Sequence, residues 1–197
     1  MPKAIVTPVR RRRPPRRSRR LEERLSVRFP SAFRRAAALT ARLNPESRLK
    51  RALYVRSLQA GWNAFNRRDF ESMLVRYAPD VEFQFTPGQQ TLGLDGTFHG
   101  HAGLLTGLGQ VAEIWDRTTL VPAYVVDLGD RALFLGFMRA RAGTSGIELE
   151  QKFAQLITMR DGLVSHDENY FGWDEGMRAA GLDPEAIALP ERPKERV

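Results

Sequence analysis

The sequence predicts an α+β fold, with helices gathered on one side of a curved antiparallel sheet. Two observations carry this. From Asp130 to Tyr170 the chain reads as three consecutive strands joined by tight turns. The helical stretches fall almost entirely before that block, giving the order helix, helix, strand, helix, then four strands. A ferredoxin-like split βαβ arrangement and a cone-shaped α+β barrel both fit that order. Consecutive strands linked by tight turns favour the cone.

The elements justify themselves in chain order. Asn44-Pro45-Glu46 has the form of a helix start, Asn as N-cap and Pro in the first turn. Leu49, Leu53, Val55, Leu58, Trp62 and Phe65 then recur at helical spacing. Asp69 caps a second helix over 70–77, which Pro79 ends. Val81 to Thr86 alternates as a strand, 88–96 is a loop, and Gly100 to Trp115 is a helix weakened by its glycines. Thr118 to Leu128 is a strand that Pro122 assigns to an edge or a bulge. Arg131 to Arg141, Ile147 to Arg160 and Leu163 to Phe171 complete the strands, and a terminal helix, Trp173 to Ala180, stops at Gly181.

The turns set a register, and the register sorts side chains onto faces. Asp161-Gly162 is a hairpin turn with φ > 0 at both central residues. It pairs Arg160 with Leu163, Ile157 with His166, Gln155 with Glu168 and Phe153 with Tyr170. A four-residue loop, Gly143 to Gly146, pairs Ala142 with Ile147, Arg141 with Glu148, Arg139 with Glu150 and Met138 with Gln151. One face then carries Phe134, Met138, Gln151, Phe153, Gln155, His166, Glu168 and Tyr170. That mixture of aromatic walls and few polar groups is the composition of a ligand pocket. The other carries Leu133, Leu135, Phe137, Ala154, Leu156, Asp167, Asn169 and Phe171. Its apolar centre reads as an uncovered interaction surface and predicts a two-fold homodimer packed sheet against sheet.

Charge is unevenly distributed. Residues 1–51 hold 17 Lys and Arg against 3 acids, a net +14, and the remainder holds 14 against 20, a net −6. The basic character belongs to the arm, so the domain itself is not a nucleic-acid binder. We divide the chain into an Arg-rich extension over 1–43, a domain over 44–182 and a polar tail over 183–197. Met1 to Arg20 is expected to be disordered, and Leu21 to Leu43 to form a weak basic helix interrupted at Pro30. The arm either contacts nucleic acid or an anionic membrane or is an extension without a role. No cysteine is present, and no apolar run reaches the roughly 20 residues of a membrane span, so the expected location is cytoplasmic.

Several segments together resemble a known family. They are Trp62 to Phe70 (WNAFNRRDF), Tyr77 to Phe83 (YAPDVEF), Phe98 to Leu104 (FHGHAGL), Asp127 to Arg131, Ser145-Gly146, Met159 to Val164 (MRDGLV) and Ala179 to Leu182. In this order they resemble the SnoaL-like branch of the nuclear transport factor 2-like superfamily, which includes ketosteroid isomerases and polyketide cyclases. The resemblance spans about Glu46 to Leu182. It implies a conical fold enclosing a deep cavity between sheet and helices, often a dimer, and no single activity. The aspartate that ketosteroid isomerases carry before a proline at the end of the first strand is matched by Phe85 and Thr86 before Pro87, so that base is missing. Tyr54 is only a loose counterpart of their oxyanion-donating tyrosine.

Glu168 is the leading acid/base candidate, because aromatic neighbours would desolvate it and raise its pKa. His166 would complete a dyad and Tyr170 would donate to an oxyanion. Asp167 is the reserve acid if the faces are exchanged. The structural alternatives are a carboxylate bonded to Gln155, a structural histidine and ordinary packing. Trp62, Phe134, Met138, Gln151, Phe153 and Gln155 would contact a small hydrophobic ligand, with His99 and His101 at the mouth. The i, i+2 spacing of those histidines is poor for zinc, and no metal or cofactor is expected. Gly107 and Gly109 lack the strand and lysine of a nucleotide loop. Arg139, Arg141, Glu148 and Glu150 read as a charged rim.

Overall fold

The computed structural model describes residues 5–9, 18–44, 47–86, 93–94, 96–141, 146, 148–187 and 189. Strands are β1 (Ile5–Pro8), β2 (Tyr77–Phe85), β3 (Thr97–His99), β4 (Arg117–Asp127), β5 (Arg131–Arg141), β6 (Glu148–Arg160) and β7 (Leu163–Tyr170). Helices are α1 (Leu21–Arg28), α2 (Pro30–Ala41), α3 (Arg48–Asn66), α4 (Phe70–Leu74), α5 (Gly100–Ile114) and α6 (Trp173–Ala179). The strands form one open sheet in the order β1-β4-β5-β6-β7-β2-β3. All pairs are antiparallel except β2 with β7, so the sheet is mixed. Among the described residues no helix is long and apolar enough to cross a membrane.

Local signals place most boundaries. Asp161 and Gly162 both take positive φ, 53° and 76°, as the hairpin turn requires. Met138 pairs with Gln151, Arg139 with Glu150 and Arg141 with Glu148, the expected register. The Ala142–Ile147 pair lies outside the described residues. Pro122 sits at a bulge, where pairing shifts between Pro122 and Tyr124. Opposite it stands Gly136, where a Cβ would meet the Val121 carbonyl oxygen at 2.6 Å. Asp69 caps α4 by accepting from the Ser72 amide at 3.2 Å.

Other expectations are corrected. The α3 cap is Ser47, whose hydroxyl accepts from the Lys50 amide; Pro45 and Glu46 lie outside the described residues. α4 ends at Leu74, because Tyr77 already pairs with Val164 in the parallel β2–β7 ladder. Pro79 falls within β2, in the irregular stretch between Tyr77 and Glu82 where its missing N–H breaks no ladder bond. Thr97–His99, assigned to no element from the sequence, is a short edge strand. Ile5–Pro8, read as part of a disordered arm, pairs with β4, and Val9 donates to Ala123 O at 2.8 Å. A short run of β-branched residues, Ile5 to Thr7, can join an open edge even when arginines follow it. The arginine run over 10–17 lies outside the described residues.

The largest correction concerns β7. From the hairpin, Arg160 pairs with Leu163 and Met159 with Val164; then Thr158 pairs with His166, leaving Ser165 unpaired. One extra residue moves every later side chain to the other face. Asp167, Asn169 and Phe171 therefore join Phe134, Met138, Phe153 and Gln155 beneath the helices. His166, Glu168 and Tyr170 turn to the outer face.

That outer face is also not bare. Met177 and Ala180 from the region of α6 pack on Leu133, Leu135, Ala154 and Leu156, each no more than 4% exposed. Trp173 lies edge-on to Phe137 at 5.2 Å and donates to Gly136 O at 2.7 Å. Ile187 and Leu189, read as part of a polar tail, pack against the same cluster. The premise of a sheet-to-sheet homodimer, an uncovered apolar face, therefore does not hold in the single chain.

Candidate functional site

Between the concave face of the sheet and helices α3, α4 and α5 lies a cavity of about 80 Å³. Its wall is mostly apolar: Phe65, Phe83, Phe85, Leu104, Leu108 and Met138 are among its residues. The polar lining is sparse and includes Arg76, Tyr77, Thr118, Gln155 and Asn169. Ligand pockets run to about 300–1,000 Å³, so a multi-ring ligand would need side chains to move.

The polar groups converge on one buried acid. Asp167 is 0% exposed. It accepts from Gln155 Nε2 at 2.9 and 2.8 Å, from the Tyr77 hydroxyl at 2.8 Å and from Asn169 Nδ2 at 3.2 Å. The amide of Gln155 is oriented from behind, because Trp62 Nε1 donates to its Oε1 at 2.9 Å. Asp167 itself lies one layer behind the wall; the three side chains bonded to it form that wall. Burial pushes its pKa up from 3.8 to about 6, against the pull of those hydrogen bonds. Tyr77 is likewise pushed well above the usual phenol value by burial and by the neighbouring Asp167 charge.

The residues picked from the sequence divide. Trp62, Met138, Phe153 and Gln155 line the cavity. Phe134 lies under Trp62, ring centroids 3.6 Å apart, rather than in the wall. Gln151, paired with Met138 nearer the strand end, is outside the lining. His99 is 72% exposed, 3.9 Å from Glu82. His101 is half-buried and contacts Tyr77 O at 3.1 Å, bracing the start of α5 against β2.

His166, Glu168 and Tyr170 do meet, but on the outer face. His166 Nε2 is 3.0 Å from Glu168 Oε1, the Tyr170 hydroxyl donates to Glu168 Oε2 at 2.9 Å, and His166 Nδ1 is 3.3 Å from Glu82. Among the described residues no cluster of three or more His, Cys, Asp or Glu is arranged to hold a metal ion. Tyr77, Asn169, Arg76 and Thr118 were not anticipated. Tyr77 and Asn169 meet through the parallel β2–β7 pairing, which no local pattern announces.

Comparison with known proteins agrees with this architecture. A sequence model of the SnoaL-like domain matches residues 58–166. An uncharacterised protein of Mycobacterium tuberculosis is 32% identical over 108 residues, 55% of this chain and 80% of that protein. The crystal structure of TerC, co-crystallized with polyporic acid, is similar with 30% identity and TM-score 0.56, over 60% of this chain and 91% of TerC. An NTF2-like protein of unknown function from Burkholderia pseudomallei is similar with 28% identity and TM-score 0.56, over 64% of this chain and 95% of its own.

Proposed function

The chain belongs to the SnoaL-like domain family, and on that premise we propose that it binds a small, largely apolar, carbonyl-bearing molecule in its cavity and moves a proton on it without a cofactor. The observation that carries this reading is Asp167, a fully buried carboxylate with a pKa near 6, bonded to three side chains of the cavity wall. A general base is most effective with a pKa near the working pH. Tyr77 stands between Asp167 and the cavity. The proton would leave the carbon next to the ligand carbonyl for the Tyr77 oxygen, as the phenol passes its own proton to Asp167 Oδ2. Gln155 and Asn169 would hold the carboxylate in place through their amide N–H groups. This assigns the base to Asp167 in place of Glu168.

The test is exchange of the α-hydrogens of cyclohexanone in deuterated water, followed by NMR. Wild-type protein should accelerate exchange, and Asp167→Asn and Tyr77→Phe should each abolish most of the acceleration. Acceleration undiminished in both variants would sink the assignment. Polyporic acid, with which the similar TerC was co-crystallized, is a second probe for binding alone.

A second reading, a non-catalytic module tethered by its arm, is favoured by one observation. Leu21, Leu25, Phe29 and Leu39 of the α1–α2 region are 48–73% exposed, amid exposed Arg24, Arg28, Arg34 and Arg35. Basic, apolar helical surfaces of this kind bind anionic bilayers. Co-sedimentation of the full chain with phosphatidylserine vesicles, lost in Leu25→Glu/Phe29→Glu, would support it; equal sedimentation of both proteins would dismiss it.

A further inference from the structure

We infer that the cavity's ligand is an anion, an apolar body ending in a carboxylate, and that Arg76 is the group that receives it. The inference rests on the cavity reading above and names the substrate class for it.

Arg76 lines the cavity and is 6% exposed. Its Cδ is 3.7 Å from the position a Cβ would take on Gly61, another residue of the wall. Its Nη1 donates to Ser72 O. The ring of Phe33, from α2, lies 5.4 Å from its Cζ. Its Nε is buried and has no hydrogen-bond partner in the described structure. A buried guanidinium is costly unless a negative charge answers it.

The surrounding carboxylates are already engaged. Glu22 pairs with Arg56 and lies 3.7 Å from Arg20. Glu23, 1% exposed, pairs with Arg67 at 3.0 Å. Asp69 binds Arg19 at 2.7 Å, and Arg19 also reaches Glu71. Among the described residues, no carboxylate comes within 4.0 Å of Arg76. Glu23 and Glu22 attract Arg76 from farther off and Arg67 repels it; burial, the largest influence, lowers its pKa. The local network is therefore one negative charge short, and the surplus cation borders the cavity. Thr118 Oγ1, also in the wall, is a second buried polar atom without a partner.

A carboxylate entering the cavity would give Arg76 the charged hydrogen-bond partner it lacks. It would also fix which end of the ligand approaches Tyr77. The volume of about 80 Å³ favours a small acid.

The experiment compares benzoate with its neutral twin benzamide on the full chain. Calorimetry measures affinity, and amide shifts at Gly61 and Gln155 locate the site. Wild type should bind benzoate at least tenfold more tightly than benzamide, with shifts at both residues. Arg76→Met should erase that preference, and Arg76→Lys should retain part of it. If Arg76→Met fails to fold, the wild-type ratio and Arg76→Lys decide. Benzamide bound as tightly as benzoate overturns the inference while leaving the cavity reading intact. So does an unchanged preference in Arg76→Met, or benzoate shifts confined to the arm. Failure of both probes to bind overturns the cavity reading and the inference together.

Discussion

Asp167 and Glu168 are neighbours in one strand, yet the sheet gives them opposite surroundings. Asp167 faces the helices, is fully buried and has only neutral donors bonded to it: two amides and a phenol. Glu168 faces outward, is 25% exposed and sits between an imidazole and a phenol with water at hand. Burial raises the proton affinity of Asp167, which has no cation bonded to it. The outer trio has the composition of an acid–histidine–tyrosine site, and its members are partly exposed and bonded to one another. Composition alone does not separate these two acids; the depth of burial and the nature of their partners do.

Placing an unpaired charge on the buried side of this strand should have the largest effect. Asp167→Lys would set an ammonium group beside Tyr77, Gln155 and Asn169, where an uncompensated buried charge costs several kcal/mol, a large fraction of the 5–15 kcal/mol stability of a typical domain. Glu168→Lys, on the outer face, should cost about 1 kcal/mol or less. Thermal unfolding followed by circular dichroism should show a lost or sharply lowered transition for the first variant only. Equal melting temperatures for the two would refute the assignment of faces.

The pH dependence of Asp167 should come next. Its folded pKa is raised, so between about 3.8 and 6 the folded chain binds more protons than the unfolded one. Stability from this group therefore falls as pH rises through that window, by about 3 kcal/mol. Asp69 acts oppositely: burial pushes its pKa up, but the bonds from Arg19 and Ser72 outweigh it and leave the value depressed. That contribution is present above its ordinary pKa and lost on acidification. Urea unfolding of wild type and Asp167→Asn at pH 4 and 7 separates the two, because only the Asp167 contribution differs between the curves. Parallel curves would mean that Asp167 titrates normally.

The cover of the outer face can be tested at Gly176. A Cβ there would lie 2.4 Å from Ala154 Cβ. Gly176→Ala should cost about 1–3 kcal/mol from overpacking, less up to about 1 kcal/mol of helix propensity. Increased binding of a hydrophobic dye should accompany it. The smallest effect belongs to Glu168→Gln. Its partly exposed pair with His166 predicts a change below about 1 kcal/mol, with cyclohexanone exchange unaltered. Lost exchange in that variant would return the chemistry to the outer face.

Much of this fold was legible in the sequence. The strands from Arg131 onward, the hairpin at Asp161-Gly162, the Asp69 cap, the bulge at Pro122 and the split of charge all follow from residue types acting on nearby backbone. Gln155, Phe153 and Met138 were found because β5 and β6 alternate without interruption. The β7 assignment failed at Ser165, which carries no bulge signature of its own. The irregularity there appears on both flanks, against β6 and against β2, and β2 lies some 80 residues away in the chain. Separation in the chain likewise hid the Tyr77–Asp167 bond, the docking of α6 on the outer face and the addition of β1 to the sheet edge. The sequence by itself determined which segments become strands and helices, because turn chemistry and periodicity are local energies. Only the tertiary structure decided which way β7 faces, and with it which acid is buried, because that depends on strand pairing and burial summed over residues far apart in the chain.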